Sequence, residues 1–464
     1  MRAPELCHLL RAAVYPREIA AVSSWPGACS SRSCLGNEPE DDGSGGLRPE
    51  HRGVPSPRAG ETLMKPTMFK RYGLTFLASL ALSACGAQEP EPGASEPVTS
   101  TQVQTLEVPA DWVGHQLGLS APRLRPLEKV TRFARPEPGE LPSIRKIESQ
   151  IGLEKPGGQM RAMGPDGTIY EVSVPDADAE KVGAAMRERG LSGSSLPSEQ
   201  PRSESGWSNG IDSRVRWTNS GSDWPRDTIG VVSPNGSSWC TGTLFEGRLV
   251  LTAFHCLWDG YGNWVNPQFR AGQDGATQPY AAVNHTWKYW DQGFVDNDCH
   301  KWKTTGYRQV CEQYDWAVLV LATTPTSSTG VTPGYMGVFY NSSDSGLAAY
   351  STYHYGYPGC GSGGAPSGCV DNSMWGQSFT CDIGSFFNPV GGWNRNFYHG
   401  CDMSGGHSGG PLYSWSPGAN GPYLLAVNIA ESCTGSACSG TTPNIAFRID
   451  KWLGDQMMYW RSIY

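Results

Sequence analysis

Three residues have surroundings suited to covalent chemistry: His255, Asp315 and Ser408. His255 ends the apolar run Leu249-Val-Leu-Thr-Ala-Phe and is followed by Cys256. Asp315 leads the apolar run Trp316-Ala-Val-Leu-Val-Leu321, and Ser408 lies inside Gly405-Gly-His-Ser-Gly-Gly-Pro411. A hydroxyl attacks a carbonyl when a base takes its proton and an acid orients that base, and the three residues supply one of each. The glycines beside Ser408 leave room for a carbonyl and let amide N–H groups point inward. Gly406 and Ser408 are the expected donors to the developing oxyanion, an effect of roughly 3–4 kcal/mol for each donor. Acyl transfer through a covalent intermediate is the chemistry such a set would perform.

Chain order narrows the choice. In α/β-hydrolases the histidine follows the serine, whereas no histidine follows Ser408 here. No H-E-x-x-H segment is present, which disfavours a metal-dependent hydrolase, and neither a metal nor a cofactor is expected. Other candidates have simpler readings. Asp291, Asp296 and Asp298 fall in a polar stretch and read as solvated. His285, His300, His354 and His399 lack the spacing of metal ligands and read as surface or loop residues. His407 adjoins Ser408, but neighbouring side chains in an extended turn diverge, so it is not expected to act as a second base.

Short apolar runs between turn signals must carry these residues: Ile229–Ser233, Arg248–Ala253, Ala317–Ala322 and Leu424–Ile429 read as strands. A long helical period appears only near the C-terminus, from Asp450 to Trp460. From Gly206 onward the pattern predicts an all-β sandwich or a pair of barrels of roughly 260 residues. Ten of the 14 cysteines lie in this part, an even number, as a disulfide framework requires.

The remaining composition sets the context. Among 464 residues, 58 are Gly and 35 Pro, about a fifth of the chain, and 17 Trp and 19 Tyr accompany them. This is a turn-rich, aromatic, β-leaning composition. With a net charge of −8 there is no basic excess to displace counterions from a phosphate backbone, so nucleic acid is not an expected partner. No apolar run reaches the roughly 18–20 residues of a spanning helix.

Residues 1–63 are rich in Arg, Gly, Pro and Ser without periodicity, and read as a misassigned start or a disordered leader. Lys70 and Arg71 precede the apolar stretch Leu74–Ala84, the pattern of an export signal too short to span. Its ending, Leu82-Ser-Ala-Cys85-Gly, resembles a bacterial lipobox with Cys85 as the lipidated residue; an ordinary signal peptide cut near Ala84 is the alternative. Residues 64–85 are therefore read as the signal, and secreted or envelope-anchored localisation follows. Residues 86–205 are polar and Pro-rich with one helical candidate, Ala177 to Arg189, and read as a largely disordered pro-region or linker.

Residues 206–464 resemble trypsin/chymotrypsin-like serine proteases, in particular the bacterial glutamyl-endopeptidase branch. The likeness is carried by Gly210-Ile-Asp-Ser-Arg-Val, Cys240-Thr-Gly-Thr-Leu, Thr252-Ala-Phe-His-Cys256, Asp315-Trp-Ala-Val, Gly356-Tyr-Pro358 and Gly406-His-Ser-Gly-Gly-Pro411. It implies two six-stranded antiparallel β-barrels with a cleft between them, a C-terminal helix, and a secreted, monomeric serine endopeptidase acting on proteins or peptides and made as a zymogen. A catalytically inactive binding module of the same fold and an esterase using the same triad are the competing functions. Phe254 replaces the usual Ala or Gly before the base, and His407 replaces the Asp that pairs with the new amino terminus in animal trypsins. Activation must therefore run differently, and cleavage is expected between about Arg202 and Asn209, releasing a soluble enzyme.

Cys240 and Cys256 are expected to pair, closing a loop of about 17 residues and stabilising it by roughly 3 kcal/mol. Sequence separation suggests Cys299–Cys311, Cys360–Cys369, Cys381–Cys401 and Cys433–Cys438 for the rest, with Cys299–Cys311 stapling an insertion before Asp315. In relatives that cut after Glu, a Thr five residues before the nucleophile and a His on the next strand hold the substrate carboxylate. Met403 and Asn428 stand there in this chain. Asp402 points instead to Arg or Lys, and a neutral or broad preference is the leading expectation.

Overall fold

The computed structural model describes residues 95–97, 102–136, 159–188, 212–219, 221, 223–340, 342–361, 364–387, 394–415, 422–431 and 443–464. Every described residue belongs to the unit Cys85–Tyr464. The expected leader, signal, Cys85, the Arg202–Asn209 cut and the Cys433–Cys438 pair lie outside the described residues.

Strands before the catalytic part are β1 (Ser95–Pro97), β2 (Gln104–Thr105), β3 (Arg123–Val130), β4 (Met160–Met163) and β5 (Thr168–Ser173). The next strand, β6 (Arg214–Trp217), precedes a barrel of β7 (Ile229–Ser233), β8 (Cys240–Glu246), β9 (Leu249–Thr252), β10 (Gln268–Ala271), β11 (Val283–Asp291) and β12 (Ala317–Leu321). Its order is β11-β10-β7-β8-β9-β12, and β12 pairs back onto β11, closing six antiparallel strands. Every residue of β7, β9 and β12 is buried, which is why these strands read in sequence as continuous apolar runs.

A second sheet holds β13 (Gly337–Val338), β14 (Tyr353–Gly356), β15 (Met374–Gln377), β16 (Ile383–Phe387), β17 (Asn396–His399), β18 (Pro411–Trp415), β19 (Pro422–Glu431) and β20 (Asn444–Arg448). Six of them run in the order β16-β17-β20-β19-β18-β14. Thr352 and Cys381 exchange backbone hydrogen bonds of 3.1 and 2.8 Å, joining the two ends of that row into a second six-stranded barrel. β15 and β6 extend the row beyond β14. The fold is all-β and chymotrypsin-like.

The C-terminal helix, Lys451–Ile463, starts where Asp450 accepts the Leu453 N–H at 2.8 Å, satisfying one of the amides the first turn leaves open. Among the described residues no helix is long and apolar enough to cross a membrane.

The largely disordered pro-region expected from composition holds a folded part. The helical candidate is the helix Asp176–Glu188, and β3, β5 and β4 form an antiparallel row that continues onto β11 of the first barrel. The sequence shows little apolar periodicity there because the segment shares a core with the barrel instead of building its own. Leu124, Val130, Ala162, Met163 and Ile169 belong to the same buried cluster as Val231, Phe254 and Trp290.

Candidate active site

His255 sits in a short helical turn, Phe254–Leu257, directly after β9, so the barrel wall fixes its backbone. The preceding Phe254 is fully buried. It stacks on Trp290 at 5.4 Å and meets Phe294, Trp258 and Trp264 within 6.0 Å. This aromatic cluster fills the space a smaller residue would leave beneath the histidine loop. On the other side, Cys256 is bonded to Cys240 of β8.

Asp315 precedes β12, which pairs with β9 in register Ala317 to Thr252, and the acid thereby reaches the histidine from the adjacent strand. The His255 backbone N–H donates to Asp315 Oδ1 at 2.8 Å and its Nδ1–H to Oδ2 at 2.7 Å. The ring therefore carries its proton on Nδ1 and presents an open lone pair at Nε2, which has no protein partner among the described residues. Both side chains are fully buried. The low dielectric around them strengthens the two bonds and makes the orientation rigid.

Ser408 lies in the Gly405–Pro411 turn leading into β18, and two positive-φ glycines shape it. Gly406 (φ +96°) and Gly409 (φ +83°) occupy backbone regions that side-chain-bearing residues rarely adopt. A Cβ on Gly409 would strike the Thr241 carbonyl, and one on Gly406 the Tyr357 carbonyl. The turn is pinned to the first barrel through Thr241. The Thr241 N–H donates to the Ser408 carbonyl at 2.8 Å, and its hydroxyl donates to the Gly406 carbonyl at 2.8 Å. The Cys256 sulfur lies 3.7 Å from the same Ser408 carbonyl. One disulfide thus joins the histidine loop to the strand that holds the serine turn. Residues Gly406 and Ser408 have their carbonyls engaged in these bonds, and no described residue accepts from either amide.

The insertion between His255 and Asp315 contributes more than length. Cys299 and Cys311 are bonded, as are Cys360–Cys369 and Cys381–Cys401. Within the stapled loop, the Tyr307 hydroxyl donates to Asp315 Oδ2 at 2.7 Å, and Trp302 meets the His255 ring edge-on at 5.8 Å. Burial first, then the Asp315 and Glu312 charges, push the Tyr307 hydroxyl well above its ordinary value, so it stays a donor. Sequence spacing gave no sign of Tyr307; its only signal was the cysteine pair around it.

Behind the serine turn the structure corrects the reading of the histidines. His354 and His399 are buried on β14 and β17, and His300 is buried in the stapled loop. His285 lies half-buried on β11, its Nδ1 at 2.9 Å from the Pro267 carbonyl. Their partners are distant in sequence, which is why spacing along the chain did not reveal them. His354 Nδ1 donates to the Pro411 carbonyl at 2.9 Å, leaving Nε2 to accept from His407 Nδ1 at 2.9 Å. His407 Nε2 then accepts from the Arg214 guanidinium at 3.4 Å. The bonds run one way, from Arg214 through His407 and His354 to a carbonyl, and require both rings to be neutral. Burial first, and after it the nearby Arg214 charge, pushes His354 down to about 4 and His407 well below its ordinary value. His407 accordingly faces Arg214 and His354 behind the turn.

Arg214 also donates to Ser404 Oγ at 2.7 Å and is held by Asp212 at 2.8 and 2.9 Å. Its neighbour Ser213 donates from its backbone N–H to Asp402 Oδ2 at 2.8 Å, and Gln377 Nε2 reaches the same oxygen at 3.3 Å. Asp402 is buried, and Met403 beside it is half-buried. Asn428 is fully buried on β19, where its Oδ1 accepts from His399 Nε2 at 3.0 Å and its Nδ2 donates to the His407 carbonyl at 3.4 Å. The three expected pocket residues thus stand near the serine turn, two of them already hydrogen-bonded to protein. Asp291, read as solvated, is instead buried at the end of β11 and accepts the Gly293 N–H at 2.8 Å. Asp296 is half-buried and Asp298 exposed.

Among the described residues, Cys240, His255 and Cys256 bring potential metal-ligand atoms within 4.8 Å of one another. Both sulfurs are consumed in the disulfide, so no thiolate remains there to bind a metal.

No family model matches the chain, and no curated protein matches it. Among solved structures, a Glu endopeptidase in complex with MPD is 21% identical, covering 55% of this chain and 98% of its own, with a TM-score of 0.38. The protease Anisep from Arthrobacter nicotinovorans is 22% identical, covering 52% of this chain and 97% of its own, with a TM-score of 0.35.

Proposed function

We propose that residues 206–464 are a serine endopeptidase that hydrolyses peptide bonds through an acyl-enzyme, exported through the segment at 64–85 and made as a precursor. One observation carries the reading: the Asp315 carboxylate takes both the backbone and ring N–H of His255, so that Nε2 is the free basic atom of the ring. In the proposed cycle Ser408 Oγ attacks the scissile carbonyl while His255 Nε2 takes its proton. Gly406 and Ser408 amides stabilise the oxyanion, and His255 returns the proton to the departing amine. Water then enters, and the same base activates it to release the acyl group. Asp315 holds the ring in the tautomer that both steps need.

Substrates are proteins or peptides, with a neutral or broad preference before the scissile bond. Asp402 and Asn428 support this, since Asp402 Oδ2 is already taken by Ser213 and Gln377, and Asn428 is uncharged and bonded to His399. Disulfides within both barrels suit an oxidising, extracellular compartment, and Cys85 is the proposed site of a lipid anchor.

Labelling of the active chain by a fluorophosphonate, with parallel peptide and ester substrates, tests the assignment. Labelling and peptide hydrolysis that disappear together in Ser408→Ala are expected, with His255→Ala losing several orders of magnitude and Asp315→Asn about 10⁴ in rate. Near wild-type peptide hydrolysis by Ser408→Ala would exclude the mechanism. Hydrolysis of esters without peptides would move the function to an esterase.

A further inference from the structure

The described residues of the segment 102–188, namely 102–136 and 159–188, pack against the catalytic part along a strand edge and the C-terminal helix. β4 adds to the outer edge of β11, pairing Met160 to Met163 with Asp291 to Lys288, and the Gln292 N–H donates to the Gln159 carbonyl at 2.9 Å. Ala134 donates its N–H to the Trp264 carbonyl at 2.7 Å, and Asn235 Nδ2 donates to the Pro136 carbonyl at 2.9 Å. The strand edge that β4 covers would otherwise expose unpaired backbone groups, a liability in any sheet.

Side chains seal the same junction. Lys288 is wholly buried, its ammonium 3.2 Å from the Val265 carbonyl, 4.9 Å from the Phe133 ring and 3.7 Å from the Met163 sulfur. Phe133 and Met163 both come from the upstream segment. Loss of that cover would open the buried ammonium and its apolar surroundings to water.

A second contact lies on the C-terminal helix. The helix Asp176–Glu188 buries Ala179, Val182, Gly183 and Met186. Gly183 comes so near that a Cβ there would strike the Asp455 carboxylate. Arg187 donates to Asp455 at 3.0 Å, Lys451 to Glu180 at 2.9 Å, and Trp452 Nε1 to Asp176 at 3.1 Å. Trp112, nearly without exposure, donates to Ser462 Oγ at 2.7 Å and meets the Tyr459 ring at 5.6 Å. None of these partners is His255, Asp315, Ser408 or a residue of the Gly405–Pro411 turn.

We propose that residues 102–188 are a permanent structural partner of the protease, which stays bound by strand addition after the chain is cut between Arg202 and Asn209. Cutting then neither unblocks a cleft nor frees the enzyme. It leaves a two-chain protease held at the membrane by the lipid on Cys85, in place of the soluble release that the sequence suggested. The upstream strands lack a core of their own, and the barrel without them has a bare edge and exposed aromatic side chains. Neither product has a stable separate state to dissociate into. The proposal rests on the precursor reading above, and its test is independent of the natural cut.

Replacing residues 203–208 in the full exported chain with a recognition site for a sequence-specific protease allows cleavage on demand. After cutting, the two fragments are expected to co-elute on gel filtration in native buffer, and to unfold together in a single guanidinium transition. Separation of the fragments in native buffer, with the downstream piece still folded, would overturn the proposal, as would two separate unfolding transitions. Co-elution of a complex that no fluorophosphonate labels supports the partnership and counts against the peptidase assignment alone.

Discussion

The Tyr307 hydroxyl and the His255 ring share one oxygen of Asp315, each donating to Oδ2 at 2.7 Å. A hydrogen bond to a charged group contributes about 1.5–3 kcal/mol, and this one steadies the carboxylate that orients the imidazole. Tyr307→Phe keeps the ring and removes only the donor. The expected outcome is a loss of roughly tenfold in kcat with KM nearly unchanged, since Asp315 retains both bonds from His255. Steady-state kinetics on a peptide substrate decides it, and an unchanged kcat would show that the tyrosine merely fills the loop.

The catalytic part was legible where burial is continuous along the chain. β7, β9, β12 and the C-terminal helix lie within a few residues of the bounds their apolar runs predicted, because each buries nearly all of its side chains. His255, Asp315 and Ser408 stood out because strand ends and glycine turns leave local signatures. Contacts across the fold left none. His354 meets His407 over a separation of 53 residues, and Asn428 meets His399 over 29. β4 was hidden for a related reason, since its four residues are too few for a period and gain their order from the edge of β11.

Arg214 acts on the serine turn from behind, donating to Ser404 Oγ at 2.7 Å and to His407 Nε2 at 3.4 Å. Its buried charge is balanced by Asp212. Removing it leaves a buried ring nitrogen, a hydroxyl and the Gly364 carbonyl without their donor. Arg214→Ala is expected to slow fluorophosphonate labelling by about ten- to a hundredfold and to lower the thermal midpoint. Arg214→Lys keeps the charge without the planar fork and should fall between the two. Labelling at the wild-type rate in Arg214→Ala would show that the turn holds its shape unaided.

Burial leads the causes that push His354 down to about 4 and His399 to about 3. In the unfolded chain these rings take up a proton near 6.5, whereas the folded chain leaves them neutral until much lower pH. Between those values the unfolded state binds more protons, so stability is full above about pH 6.5 and falls as the pH drops towards 4. For one such ring the loss is on the order of 3 kcal/mol. The denaturation midpoint should therefore decline from pH 7 to pH 4.5. His399→Gln, which keeps a donor for Asn428 without an ionisable ring, should decline less steeply. Identical slopes for the two proteins would remove His399 from the account.

Asp402 has the type expected of an acid that selects Arg or Lys, and its surroundings argue against that use. Its Oδ2 takes the Ser213 backbone N–H, the Ser213 hydroxyl and the Gln377 side-chain amide, so this oxygen is engaged in fixing the first residues of the catalytic part. Asn428 is committed to His399, and neither position offers a positive charge for a Glu carboxylate. A peptide library is expected to show cleavage after several neutral residues, with neither Arg/Lys nor Glu dominant. Asp402→Asn should leave that profile in place and lower stability by about 1–3 kcal/mol, the cost of weakening bonds to a buried group. Dominant cleavage after Arg or Lys that vanishes in Asp402→Asn would make this acid the pocket floor after all. Dominant cleavage after Glu, unchanged in Asn428→Ala, would place carboxylate recognition on other residues.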